Sequence, residues 1–308
     1  MDHEANVTYI TFDGHVDVNK YGYLYFLIMF IVYILIICCN STIICLIWTH
    51  KNLHEPMYIF IAALLLNSVV LSTAMYPKML IDFLSKKQII SYSACLFQFF
   101  LFYSLNGSEF LLLSAMAYDR YVSICKPLHY PTIMRKTTVI IFLALAWLLP
   151  ACQIAVPAIL SADMKLCSLT LKGIFCNNTI YQLHCVSSTA RSIFGIVALM
   201  NIALFPMLFI IFTYTKIFII SYRSCGEVRK KAAQTCLPHL LVLISFACLC
   251  AYDVSIIRLG PNFTKTVHLI MTLQFVIYHP LFNPIIYGLK MKEITKHLKR
   301  LFCQAKVI

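Results

Sequence analysis

Seven long apolar runs alternate with short polar connections along this chain, at about residues 23–48, 58–84, 93–121, 139–159, 190–220, 235–257 and 266–289. A helix needs roughly 20 mainly apolar residues to cross the hydrocarbon core of a bilayer, and each run reaches that length. The runs are continuous, whereas the strands of a membrane barrel would alternate over segments of about ten residues. Lipid cannot satisfy exposed backbone groups, so continuous runs of this kind predict helices. The expected architecture is an all-α membrane protein: an outer segment over 1–22, a seven-transmembrane-helix bundle over 23–289 and a cytoplasmic tail over 290–308. The tail is basic and intermittently apolar, which suits a short amphipathic helix on the inner leaflet.

Composition agrees with this pattern: 61% of the 308 residues are apolar, 12% are charged and only 8 are glycine, which does not describe a soluble domain. The formal net charge of +13 raises nucleic acid as a partner, but its distribution argues against one. With the amino terminus outside, 16 Lys and Arg fall on the cytoplasmic side and 9 outside, as the positive-inside rule asks. The charge follows loops and tail rather than one groove, and anionic lipid headgroups are its natural partners. Residues 1–22 carry Asp2, Glu4, Asp13 and Asp17 against Lys20. With no basic start before an apolar core, the first helix is expected to serve as its own insertion signal. Asn6-Val7-Thr8 is a glycosylation sequon in an accessible place.

No catalytic constellation is present: there is no glycine-rich phosphate loop, no HExxH pair and no nucleophile with an identifiable base, so neither an enzyme nor a cofactor is expected. Cys236 and His239 stand at helical spacing, but two ligands are too few for a structural zinc site. Polar residues inside the runs are more informative, because each is costly in lipid unless it meets another helix. Asn40 lies in the first run, Ser68 with Asn67 beside it in the second, and Glu109 in the third. Glu109 precedes Arg120 by eleven residues, about three turns, so both project from a similar face. Such a cluster reads either as a structural polar network or as a cation site. Most of the fourteen cysteines are ordinary apolar fillers. Cys95 begins the third run, and Cys167, Cys176 and Cys185 follow the fourth at intervals of nine; four cysteines allow three pairings and spacing alone selects none.

The stretch from Met116 to Tyr130, MAYDRYVSICKPLHY, closely resembles the MAYDRYVAICxPLHY signature of odorant receptors, a branch of the rhodopsin-like G-protein-coupled receptors. Further motifs follow in family order: Leu53-His54-Glu55-Pro56-Met57-Tyr58, Pro77-Lys78-Met79-Leu80, Thr213-Tyr214-Thr215-Lys216-Ile217, Lys231 to Leu240 as KAAQTCLPHL, and Pro280-Leu281-Phe282-Asn283-Pro284-Ile285-Ile286-Tyr287. Departures include Ser123 for alanine, Ser68 where the family usually has aspartate, Phe282 for leucine, and Phe246-Ala247-Cys248 where Phe-Tyr-Gly is common. The resemblance implies disulfides between Cys95 and Cys176 and between Cys167 and Cys185. It implies that a small-molecule odorant binds within the bundle and that helix six moves outward. A heterotrimeric stimulatory G protein would then dock and cyclic AMP would rise, in a plasma membrane receptor with its amino terminus outside. Asp119, Arg120 and Tyr121, with Tyr214, Lys231, His239, Asn283, Pro284 and Tyr287, are the implied switch. Asn40 joins its polar network.

Projection inward from these motifs selects Phe102, Tyr103 and Asn106 on helix three, Ala198, Leu199 and Ile202 on helix five, Cys250, Ala251 and Val254 on helix six, and Met271 and Gln274 on helix seven. The set is mostly apolar with a few polar groups, as small-molecule pockets are; the same spacing also serves ordinary packing. Asp253, Arg191, Arg258, Lys265 and His268 lie near the expected outer mouth, where they either steer charged ligands or meet headgroups. The alternatives are a chemosensory receptor used outside olfactory tissue and, from a different class, a membrane transporter. The transporter lacks support, since neither inverted repeats nor acids spread over several helices are seen.

Overall fold

A computed structural model describes residues 8–186, 189–222, 240, 242–245, 247–249, 251–252 and 264–305. Its helices are α1 (Val18–Thr49), α2 (Pro56–Leu84), α3 (Tyr92–Cys125), α4 (Lys136–Ala162), α5 (Thr189–Tyr222), α6 (helical at 240, 242–245, 247–249 and 251–252), α7 (Lys265–Lys290) and α8 (Lys292–Ala305). The protein is a multi-pass membrane bundle. Large apolar side chains such as Phe97, Leu148, Ile159 and Phe212 remain exposed on its outside, which is what contact with lipid tails requires. α2 and α3 bury most of their length, whereas α1, α4 and α5 turn most of theirs outward. α3 is therefore the central rod, about 50 Å long at 1.5 Å per residue.

Local chemistry sets the helix ends. Pro56 opens α2, where a missing N–H costs nothing. Ser91 caps α3 by accepting from the Ala94 backbone N–H at 3.3 Å, and Thr264 caps α7 through the Val267 N–H at 3.4 Å. α1 starts at Val18, inside the segment expected to lie outside the bundle, and its first turns bury Gly22 directly against the Phe83 carbonyl. In α5 the turn over Met200–Leu204 is a π-helix. It ends two residues before Pro206, whose missing N–H leaves the ordinary hydrogen-bond ladder broken there.

One end of the bundle carries a small sheet that the apolar pattern does not predict. β1 (Tyr9–Phe12) lies between β2 (Ile89–Ser91) and β3 (Thr170–Leu171). β1 pairs antiparallel with β2, with Ile10 opposite Ile90, and parallel with β3, with Thr11 opposite Thr170. Ile10 and Phe12 are buried while Tyr9 and Thr11 face out, a two-residue alternation spread over only four residues. Disulfides Cys95–Cys176 and Cys167–Cys185 hold the α4–α5 loop beneath this sheet, each contributing roughly 2–4 kcal/mol by limiting the unfolded chain.

Close approach at the middle of α3 depends on Gly107. A Cβ there would lie 2.5 Å from Ile202 Cγ2 and 2.9 Å from Pro150 Cβ, so α4 and α5 converge where α3 has no side chain. Gly107→Val is expected to destabilise the purified protein by about 1–3 kcal/mol through overpacking. Gly195→Ala, whose new Cβ meets nothing within 4 Å, should be neutral or slightly stabilising in the same thermal denaturation measurement.

Candidate functional site

Below the sheet, α3, α4, α5 and the α4–α5 loop, with Phe275 of α7, line a partly open cavity of about 400 Å³. Phe102, Tyr103 and Asn106 line it from α3, and Ala198, Leu199 and Ile202 from α5. Ala251, Met271 and Gln274 do not. Gln274 and Ala251 are exposed, and the register of α7 turns the neighbouring Phe275 inward instead, onto Phe102 at a ring-centroid distance of 5.2 Å. Cys250 and Val254 lie outside the described residues, as do Asp253 and Arg258.

The cavity also takes Ile154 and Pro157 from α4, Asn178 and Tyr181 from the loop, and Arg191 from the first turn of α5. Projection from helix motifs cannot find the loop residues. The tether from Cys95 to Cys176 is the signal that brings them inward, since Asn178 then donates its backbone N–H to the Tyr103 hydroxyl at 2.9 Å. Gln98 reinforces the tether by accepting the Cys176 N–H at 3.0 Å.

The polar end of the cavity is a directed chain. Tyr92 donates to the Ser161 carbonyl at 2.5 Å. Its oxygen lies 2.8 Å from His184 Nε2, and His184 Nδ1 lies 2.7 Å from Arg191 Nη1. Arg191 can only donate, so Nδ1 is the acceptor and Nε2 carries the hydrogen. Burial, then the Arg191 charge, brings the His184 pKa from 6.5 down to about 4, which keeps the ring neutral. Arg191 itself is 6% exposed and sits over the Tyr181 ring, 4.5 Å from its centroid. Lys265, also at this end, pairs instead with Asp13 of the leader at 2.7 Å, and His268 Nδ1 is 3.1 Å from the Tyr252 hydroxyl.

A second cluster lies deeper, between α1, α2, α3 and α7. Asn283 donates to Glu109 Oε1 at 2.8 Å, and His279 Nδ1 lies 3.5 Å from the same oxygen. Proline geometry assigns Asn40 its part. Pro284 has no N–H for the Pro280 carbonyl four residues back, and Asn40 supplies the missing donor at 2.8 Å. Pro280 likewise releases the Val276 carbonyl, which the Tyr76 hydroxyl meets at a long 3.4 Å. The released carbonyls are thus met from α1 and α2 rather than by Asn283. Ser68 is buried but returns its hydroxyl to its own helix, on the Leu64 carbonyl at 3.2 Å. Its neighbour Asn67 makes the interhelical bonds, donating to the Leu105 carbonyl at 2.9 Å and accepting from Trp147 Nε1 at 3.3 Å.

At the far end of α3, Asp119 is buried. It accepts the Tyr130 hydroxyl at 2.7 Å and stands 3.7 Å from Arg120 Nε. Burial, then the hydrogen bond to Asp119, raises the Tyr130 pKa, so the phenol remains a donor. Tyr121 is half-buried next to this pair, and Tyr214, Pro284 and Tyr287 are buried within the bundle. Lys231 and His239 lie outside the described residues, as does Asn6. α8 turns Ile294 and His297 inward, and Thr295 bonds the Gly288 carbonyl at 2.8 Å, fixing α8 to the end of α7.

Residues 29–305 match the family profile described as "Olfactory receptor". The curated proteins to which the chain is similar include three from Homo sapiens. It is 32% identical to olfactory receptor 13C2 over 90% of each chain. It is 32% identical to olfactory receptor 2AT4, over 91% of this chain and 88% of that one. Olfactory receptor 11A1 is 31% identical, over 94% of this chain and 92% of its own.

The neutral His184 makes stability depend on pH. Unfolded, its ring takes a proton at about 6.5, whereas folded it does so near 4. Below pH 6.5 the unfolded state therefore binds more protons, and stability falls as pH drops from 6.5 to 4. His184→Gln, which keeps one donor and one acceptor, is expected to flatten part of that slope in thermal denaturation of the purified protein. A share from His15, also lowered to about 4 by burial and then Lys78, should remain.

Proposed function

The chain belongs to the olfactory receptor family, and from that premise we propose that it is an odorant receptor coupled to a heterotrimeric G protein. A small organic molecule occupies the cavity beside Tyr103, Asn106 and Ile202 and stabilises one arrangement of the bundle. The stimulatory, olfactory type of G protein then docks at the Arg120 end and cyclic AMP rises. The sheet-capped end faces outside and the basic tail lies on the cytoplasmic leaflet, a reading supported by the excess of Lys and Arg in the loops and tail of that side. The basic, inward-anchored α8 then rests on anionic lipid.

The observation that carries this reading is that α3 belongs to both ends. It lines the cavity at Phe102, Tyr103 and Asn106, and it presents Asp119 and Arg120 at the opposite end. A ligand shifts the equilibrium only by its difference in affinity for two states. In the resting arrangement Tyr130 and Arg120 both hold Asp119. Release of that latch lets Arg120, with Tyr214 and Tyr287, support the docked partner. The family resemblance assigns Lys231 and His239 to the same switch.

In cells carrying a cyclic AMP reporter, a panel of volatile organic compounds should contain at least one that raises cyclic AMP through this chain. Arg120→Ala should remove most of that response at equal surface expression. Tyr130→Phe removes a hydrogen bond to a charged acceptor worth about 1.5–3 kcal/mol and should raise the response without ligand. Surface-expressed protein that gives no Arg120-dependent rise with any compound would sink the proposal.

A further inference from the structure

Among the described residues that line the cavity, the polar side chains are Tyr103, Asn106, Asn178, Tyr181, Arg191 and Ser192. All but one are engaged within the protein. The Tyr103 hydroxyl accepts the Asn178 N–H, Arg191 meets His184 and the Tyr181 ring, and Ser192 also has a partner. Asn106 differs. It is 6% exposed, its amide nitrogen donates to the Phe102 carbonyl at 2.7 Å, and its Oδ1 is buried with no hydrogen-bond partner. Because a carbonyl only accepts, the amide cannot be turned round: its nitrogen faces Phe102 and its oxygen faces away from it.

A buried acceptor left in this state carries a desolvation penalty until a donor reaches it. The surrounding wall supplies none. Phe102 and Phe110 lie one turn to either side on α3, Phe275 comes from α7, and α5 contributes Ile202 and Ala203 from its π-helical turn. Such turns are frequent at functional sites. The deep part of the cavity is therefore an apolar lining around one orphaned oxygen.

We propose that the cavity selects neutral molecules carrying a hydroxyl on an apolar body, the hydroxyl donating to Asn106 Oδ1 and the body lying along Phe99, Phe102, Ile154 and Ile202. Donor chemistry narrows the class from both sides. Ethers, ketones and esters offer only acceptors and leave the oxygen orphaned, and an ionised carboxylate does the same. An ammonium has donors, but the described lining holds no Asp or Glu to pair with it, and burying an unpaired charge is costly. Oδ1 is fully covered in this arrangement, so a ligand donor meets it only as the side chains around it shift. The gain then belongs to the shifted arrangement, which is the differential affinity that biases an equilibrium. This deepens the receptor reading above and rests on it for signalling, whereas the binding preference stands without it.

The test uses the full chain in two separate assays. In the first, purified protein in lipid nanodiscs is titrated with straight-chain and aromatic alcohols of about six to twelve carbons, and with ethers, carboxylic acids and amines matched to them in size. Thermal stabilisation reports binding. In the second, the same compounds are applied to cells carrying the cyclic AMP reporter. At least one alcohol is expected to be favoured over its matched ether by about tenfold, the order of effect of satisfying one buried acceptor, and over its acid and amine by at least as much. Asn106→Leu, which keeps the size and removes the acceptor, should bring the alcohol-to-ether ratio close to one while leaving ether binding within about threefold. If that variant does not fold, Asn106→Ala is read for the same ratio, and if neither folds the ratio of the unaltered protein decides alone. A ratio near one in the unaltered protein, a preference that survives loss of the Asn106 acceptor, stronger binding of acids or amines than of alcohols, or no compound bound at all overturns the inference. Asn106-dependent binding of alcohols without cyclic AMP would overturn the receptor reading and leave the hydroxyl contact standing. Cyclic AMP raised equally by alcohols and ethers would do the reverse.

Discussion

Inside a bilayer no water is available to a backbone group that a helix leaves unpaired, and α7 leaves two. Pro280 and Pro284 strip the Val276 and Pro280 carbonyls of their ordinary donors, and the replacements come from Tyr76 on α2 and Asn40 on α1. Three helices are thereby held in register by a defect in one of them. With that register set, Asn283 is turned toward α3, where it meets Glu109 beside His279. The polar interior is thus a consequence of proline placement, and a helix broken in this manner can adopt a second arrangement more readily than an uninterrupted one.

α3 links this interior to both ends. Its upper third is tied by Cys95 to the loop that roofs the cavity, its middle carries Gly107 where α4 and α5 converge, and its last turns carry Asp119 and Arg120. Long, mostly buried and without proline, it is poorly able to bend, so a displacement at one level is felt along its axis. Close packing makes such elements switch between discrete positions rather than deform smoothly.

The bundle was legible because the bilayer imposes one simple length and polarity rule, which seven runs obey. Contacts made by single polar atoms were less so. Asn40 was identifiable as an interhelical donor, but the carbonyl it serves depends on a proline 244 residues later. Ser68 and Asn67 are adjacent, yet only Asn67 reaches other helices; a rotation of about 100° per residue separates them, and motif counting did not say which faced where. His279 gave no periodic signal at all. In the cavity, residues on α3 and α5 followed from helical projection. Tyr181 and Asn178 belong to an irregular loop whose path is set by disulfides, and Gln274 yielded its place to Phe275 through one residue of register.

The leader strand has a consequence for anyone recombining receptors of this type. Backbone N–H groups of Thr11 and Asp13 are satisfied by the Leu169 and Leu171 carbonyls at 2.8 Å each, and a Cβ on Gly14 would stand 2.5 Å from the Gly173 backbone. Leader and roof are therefore one module written in two distant parts of the gene. A graft that carries over only the roof leaves orphaned amides at the rim and a steric mismatch at that glycine pair, so the two pieces are best exchanged together.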